Sequence, residues 1–193
     1  MQAISNLTNK CLILGNGMLT YEGETSHAIQ YYLQQQVKQD LVYHAEIRPD
    51  KPTVCLVELC CSKGQNVHVC GQPFAVNFQF YFPQPLKGIA ISFQIFNEYD
   101  NAVLHSWVYD SDVPVGNIDG FVELKCNIPK LRLYMGNYYL RVHFANYITK
   151  EKYEMLDRIC FFEVDMFGWE RIHPWMPNTC QYIEDYNWII NNK

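Results

Sequence analysis

Side chains able to bind metal, move protons or stack on a ligand are unevenly spread along this chain of 193 residues. Cys60, Cys61, His68 and Cys70 fall close together around a turn expected at residues 62–66, and they bring soft and borderline donors suited to zinc. Their spacing is not that of a zinc knuckle. Adjacent cysteines in a strand point to opposite faces, so at most one of Cys60 and Cys61 joins His68 and Cys70, and no metal site is expected. The carboxylates Glu98, Asp100, Asp110, Asp112 and Asp119 are available for a hydrolase, but loop acids are usually solvated and nothing in their spacing sets a catalytic pair. Neither a G-x-S-x-G nucleophile elbow nor a G-x-x-x-x-G-K-[ST] phosphate loop is present, and His173 before Pro174 reads as a packing or turn residue. Catalysis is therefore not expected. The unusual supply is aromatic: 14 Tyr, 11 Phe and 4 Trp exceed what one core of this size needs, so some rings should face outward.

Composition narrows the class. Fifteen Lys and Arg against 20 Asp and Glu leave a net charge of −5, which argues against a nucleic-acid surface because that needs clustered cations. No run of 18 apolar residues offers a membrane span. An apolar share of 49% supplies a dense core in one domain or two small ones without disulfides. The start MQAISNLTNK lacks a charged n-region and an apolar h-region, so the eight Cys read as reduced cytoplasmic thiols. Cys55, Cys126 and Cys160 fall at apolar strand positions, where a thiol behaves as a small hydrophobe.

The elements that must position these residues follow from period and punctuation. Asn16-Gly17 separates two apolar runs and suits a type I′ turn, which predicts a β-hairpin. Thr25 or Ser26 then caps a helix through about Val37, with Ala28, Ile29, Tyr32 and Leu33 on one stripe. Residues 39–52, ending Arg-Pro-Asp-Lys-Pro, read as a linker. Beyond it, β-rich runs cover 53–61, 72–82, 86–97, 102–109, 120–128, 136–146 and 155–165, with turn signals and no helix between them. Seven such runs predict an all-β, immunoglobulin-like antiparallel sandwich over 53–175. Phe74, Val76, Phe78, Phe80 and Phe82 share one face of the second run. In the sixth, Gly136 permits a tight entry and Tyr138 sits where a tyrosine corner bonds back upstream.

Taken in order, Gly71-x-x-Phe74-x-Val76-x-Phe78, Ile91-x-Phe93-x-Ile95, the Leu131–Val142 corner and Phe162-x-Val164 resemble the C-terminal domain of Wzt-type ATP-binding subunits of O-antigen polysaccharide ABC transporters. Residues 4–32 resemble the tail of an ABC ATPase domain, with Met1 falling just after its switch histidine. The resemblance implies four parts: an ATPase remnant at 1–38, a linker at 39–52, the sandwich at 53–175 and an extension at 176–193. It also implies a binding module rather than an enzyme, with no cofactor of its own; ATP and Mg belong to the missing ATPase domain. The implied partners are a lipid-linked polysaccharide glycan, a homodimer mate and the transporter's membrane subunit, at a cytoplasmic site peripheral to the inner membrane. Phe167–Trp175 resembles the strand that the family exchanges between protomers. The tail after it departs from the pattern and is expected to form a short helix capped by Asn178 or Thr179, with Tyr182, Ile183, Tyr186 and Ile190 on one side.

A glycan presents hydroxyls and apolar C–H faces, so its site wants flat rings beside planar polar groups. If the third, sixth and seventh runs share a sheet, alternation turns outward Ser92, Gln94 and Phe96, then Tyr139, Arg141 and His143, then Phe161 and Glu163. The expected carbohydrate-binding residues are Gln94, Phe96, Tyr139, Arg141, His143, Phe161 and Trp107. The alternative for this face is cover by the exchanged strand, the tail or a dimer mate. Trp107 lies with Tyr109 and His105 near the acidic loop at 110–112, and packing between sheets is the commoner fate of such a tryptophan. The competing reading of the whole is a module that docks onto the ATPase, the membrane subunit or a chain-terminating enzyme.

Overall fold

The computed structural model describes residues 7–15, 17–36, 41–64 and 66–190. Strands β1 (Lys10–Gly15) and β2 (Met18–Glu24) pair antiparallel as the expected hairpin, and helix α1 (Thr25–Gln36) follows. Gly17 has φ 80°, a left-handed value that a glycine adopts without steric cost; Asn16 and Val37 lie outside the described residues. Ala28 and Ile29 are buried as the helical stripe requires, whereas Tyr32 is exposed. The Thr25 hydroxyl donates to the Thr8 carbonyl at 2.9 Å, tying the helix start to the segment before the hairpin.

The rest is a two-layer antiparallel sandwich. Its strands are β3 (Val42–His44), β4 (Thr53–Cys60), β5 (Val67–Val69), β6 (Phe74–Phe82), β7 (Ile89–Asn97), β8 (Ala102–Tyr109), β9 (Gly120–Ile128), β10 (Gly136–Asn146) and β11 (Lys152–Asp165). One sheet has the order β5-β11-β10-β7-β8 and the other β3-β4-β6-β9. All neighbours are antiparallel except β5, which runs parallel to β11. Each inner face is built by period-two alternation, and rings interlock across the gap: Phe78 against Phe93, Phe80 and Phe82 against Phe144, and Phe74 against Phe162, with centroids 5.1–5.9 Å apart. Tyr138 forms the tyrosine corner, its hydroxyl donating to the Tyr134 carbonyl at 2.8 Å.

Three expectations are corrected. Residues 39–52 are not wholly linker, because β3 pairs with β4 and extends the smaller sheet. Phe167–Trp175 is not a strand; the segment turns back on its own sandwich, where the Trp169 indole donates to the Cys70 carbonyl and the Trp175 indole to the Trp169 carbonyl. The tail is not helical. It runs extended, bridging Tyr182 to Leu133, while Arg132 pairs with Glu184 and Asp185 and Lys130 pairs with Asp185. Those pairs and the backbone bonds between residues 181–183 and 132–134 hold a conformation that helical spacing alone did not reveal.

Candidate functional site

Strand register sorts the outward side chains of the five-stranded sheet into rows. Trp107 faces Ser92, which faces His143; His105 faces Gln94, which faces Arg141; and Phe96 faces Tyr139. Six of the expected site residues therefore lie on one surface with Trp107, since Phe161 stands beside Tyr139 with ring centroids 5.7 Å apart. Facing outward is not the same as being open. Phe96 and Tyr139 stack at 5.4 Å with nearly parallel rings, yet they are only 6% and 2% exposed. Guanidinium groups cover them: Arg141 sits 4.4 Å from the Phe96 centroid and Arg158 sits 5.0 Å from that of Tyr139. The expectation of bare platforms at Phe96 and Tyr139 is thus overturned. Together with the half-buried Phe161, they form a floor whose upper surface is Arg141 and Arg158.

Arg158 owes its place to backbone irregularity. Between Tyr138 and Val142 of β10, β11 spends two extra residues, and Arg158 and Cys160 take left-handed φ values of 54° and 51°. Such bulges bend the strand and re-aim its side chains. Arg158 reaches Asp100, whose carboxylate also accepts the Tyr139 hydroxyl at 2.9 Å, and Arg141 Nε donates to Asp157 at 2.7 Å. The Arg141 bond holds the Asp157 carboxyl below its ordinary value, and Asp157 in turn raises that of Arg141. Burial, then the charges of Arg141 and His105, lower the His143 pKa, so its imidazole is neutral at neutral pH. His143 Nε2 lies 3.4 Å from Gln94 Oε1.

Trp107 departs from the packing expected of it: 61% of its surface is open, and the exposed His105 ring lies 5.2 Å away. The result is a solvent-facing indole beside His105, on the sheet face that also carries Gln94, His143 and the Arg141–Asp157 pair. Planar donors and acceptors next to one flat apolar ring can bind a polyhydroxylated chain along the sheet. Burial pushes the Tyr139 hydroxyl well above the usual phenol value, which keeps it a hydrogen-bond donor rather than a nucleophile.

Sequence reasoning did not find a second feature, at the end of the sandwich. A cavity of about 470 Å³ opens there between the β7–β8 turn, the 135–138 corner and the tail at 178–181. Its lining includes Glu98, Tyr99, Asn101, Asn137, Asn178 and Gln181. These come from three separate stretches of chain, and only their polar composition was visible beforehand. Among the described residues no group of three His, Cys, Asp or Glu side chains converges as a metal site would require, at Cys60, Cys61, His68 and Cys70 or elsewhere. His68 is fully buried; its Nδ1 accepts from the Ser62 amide at 3.2 Å, and burial lowers its pKa to about 4. All eight cysteines are free thiols. Among the described residues no helix is long and apolar enough to cross a membrane.

No protein-family model matches the chain, and no curated protein matches it. Among solved structures it is similar to a Niemann-Pick type C2 protein from Japanese carpenter ant, at 10% identity over 64% of this chain and 99% of that one, with a TM-score of 0.44. The C-terminal domain of Wzt is similar at 9% identity over 67% of this chain and 80% of that one, with a TM-score of 0.51. At such identity the likeness speaks to architecture. The chain has the β-sandwich fold of the C-terminal domain of Wzt.

Proposed function

We propose that this chain is a carbohydrate-binding module of a polysaccharide exporter, recognising the terminus of a lipid-linked O-antigen-type glycan and handing it to the transporter. It acts by binding, without breaking bonds and without a cofactor of its own; ATP and Mg are used by the ATPase domain of the parent protein, at the cytoplasmic side of the inner membrane. The observation that carries the reading is the open Trp107 indole beside His105, on the same sheet face as Gln94, His143 and the Arg141–Asp157 pair. Carbohydrate offers an apolar face to a ring and hydroxyls to planar polar groups, and this surface pairs the two. The shared fold supports the same reading. An open face of this kind binds weakly. A millimolar dissociation constant is worth only about −4 kcal/mol, so two modules acting together would retain the substrate better than one.

The test is retention of the purified chain on immobilised O-polysaccharide, with and without its terminal cap. Wild type should be retarded and Trp107→Ala should not, at an unchanged melting temperature. Equal retention of both proteins would defeat the assignment of this face.

A protein-docking role is the second reading, and a separate observation favours it. Leu12, Leu14, Met18 and Leu19 of the hairpin are 55–71% exposed, and Trp188, Ile189 and Ile190 of the tail are more exposed still. Single exposed apolar residues are ordinary, but a grouped set points to cover by another protein. A pull-down with the ATPase and membrane subunits that is lost in a Leu12→Ser, Leu14→Ser variant, with glycan retention unchanged, would assign docking to the hairpin.

A further inference from the structure

The cavity at the end of the sandwich has a composition different from that of the sheet face. Asn97, the last residue of β7, organises the turn: its Oδ1 accepts from the amides of Tyr99 and Asn101 at 3.0 and 2.9 Å. Glu98 accepts from Asn137 Nδ2 at 3.3 Å, and Asn178 Nδ2 donates to the Tyr99 hydroxyl at 3.0 Å. The tail wall is fixed by backbone bonds from the Tyr134 amide to the Gln181 carbonyl and from the Ile183 amide to the Arg132 carbonyl. A second brace joins the Tyr134 hydroxyl to the Met176 carbonyl at 2.7 Å. The walls are thus held in place by the fold, and the lining is rich in side-chain amides.

An amide offers a donor and an acceptor in one plane, and a sugar hydroxyl is both donor and acceptor, so amide-lined walls match adjacent hydroxyls. Burial and the nearby Glu98 carboxylate raise the Tyr99 pKa, which leaves its phenol protonated. Glu98 is the one charged residue among those lining the cavity, and neither Lys nor Arg shares that lining. A carboxylate or phosphate placed there would meet Glu98 with no cation in the wall to offset it. The volume of about 470 Å³ lies within the range of small-ligand sites. Phe96 of the sheet face directly precedes Asn97, and the row of Trp107 lies roughly 17 Å back along β7 at about 3.3 Å per residue.

We infer that this cavity is a second glycan subsite, selective for an uncharged sugar residue and closed to uronic acids and sugar phosphates. The inference rests on the glycan reading of the sheet face and adds to it where the charge discrimination resides. A glycan lying along β7 engages both places, with its acidic residues, if any, kept to the face that carries Arg141 and Arg158.

The experiment is protein-observed NMR on the ¹⁵N-labelled full chain, following the side-chain amides of Asn101, Asn137, Asn178 and Gln181 and the indole of Trp107. The probes are mannotetraose and tetragalacturonate, each up to about 20 mM, since millimolar binding is the regime expected of such sites. Mannotetraose should shift the cavity amides and tetragalacturonate should not. Glu98→Gln should weaken the mannotetraose response about five- to tenfold, because a charged acceptor makes the stronger hydrogen bond. It should also admit the acidic tetramer. Shifts confined to the surroundings of Trp107 would overturn the subsite and leave the glycan reading standing. Cavity shifts with tetragalacturonate equal to those with mannotetraose would overturn the charge selectivity. No shift at either place with either probe would overturn the subsite, while the glycan reading itself stands or falls by retention on the O-polysaccharide.

Discussion

Acidification from pH 7 to pH 5 should destabilise the sandwich by about 2 kcal/mol through His68 alone. The imidazole is fully buried against Phe74, with ring centroids 5.1 Å apart, and its Nδ1 is occupied by the Ser62 amide. Protonation would bury a cation and break that acceptor role. Burial, the larger cause, lowers the folded pKa from 6.5 to about 4, with the Gln72 backbone pulling weakly the other way. The unfolded chain therefore binds the proton first. Stability is complete above the unfolded value of 6.5 and falls as the pH drops toward 4, below which both states are protonated. At about 1.4 kcal/mol per pH unit, the window between 7 and 5 carries roughly 2 kcal/mol and the full range about 3 kcal/mol. Asp157, Glu184 and Asp185 have lowered values, so their contributions are lost only at more acidic pH, whereas His143, also lowered by burial, adds a loss in this window that wild type and a His68 variant share. The assay is urea unfolding of wild type and His68→Leu at pH 7 and pH 5. Wild type should lose about 2 kcal/mol more than the variant between the two. Parallel losses would refute the assignment of the titration to this buried ring.

Tyr138→Phe should destabilise by about 1–2 kcal/mol in denaturant unfolding, since it leaves the Tyr134 carbonyl without the corner hydrogen bond of 2.8 Å. A neutral result would mean that the corner adds nothing beyond packing. Gly88→Ala should cost about 1–3 kcal/mol: φ is 83°, and the new Cβ would lie 2.6 Å from Asn146 Oδ1 and 2.7 Å from Ile148 Cγ1. An unchanged melting temperature would show that the 146–149 turn yields at no cost.

The longer strands were legible because each alternates over most of its length, and β8, β9 and β10 occupy the expected spans residue for residue. Tyr138 was legible because its corner is local, bonding four residues upstream. The three-residue β3 and β5 were not, since a run so short shows no period and owes its place to the partner strand. The tail misled for a related reason: spacing at 182, 183, 186 and 190 fits a helix, but its conformation is set by Arg132 and Lys130, far away in sequence. At the candidate site, alternation correctly turned Phe96, Tyr139, Arg141 and His143 to one face. It could not show that Arg141 lies over one ring, or that bulges in β11 bring Arg158 over the other. Nor could it show Trp107 open to solvent, because an edge strand and a central strand share the same period. The end cavity joins three distant segments and has no signature in any one of them.

The most direct measurement is calorimetric titration of the intact chain with the O-polysaccharide of its source organism, beside Trp107→Ala. Saturable binding in the millimolar range or tighter, weakened at least tenfold by the substitution while melting is unchanged, is the expected result. Absence of binding by the folded wild-type chain to both the capped and the uncapped polymer would contradict the account.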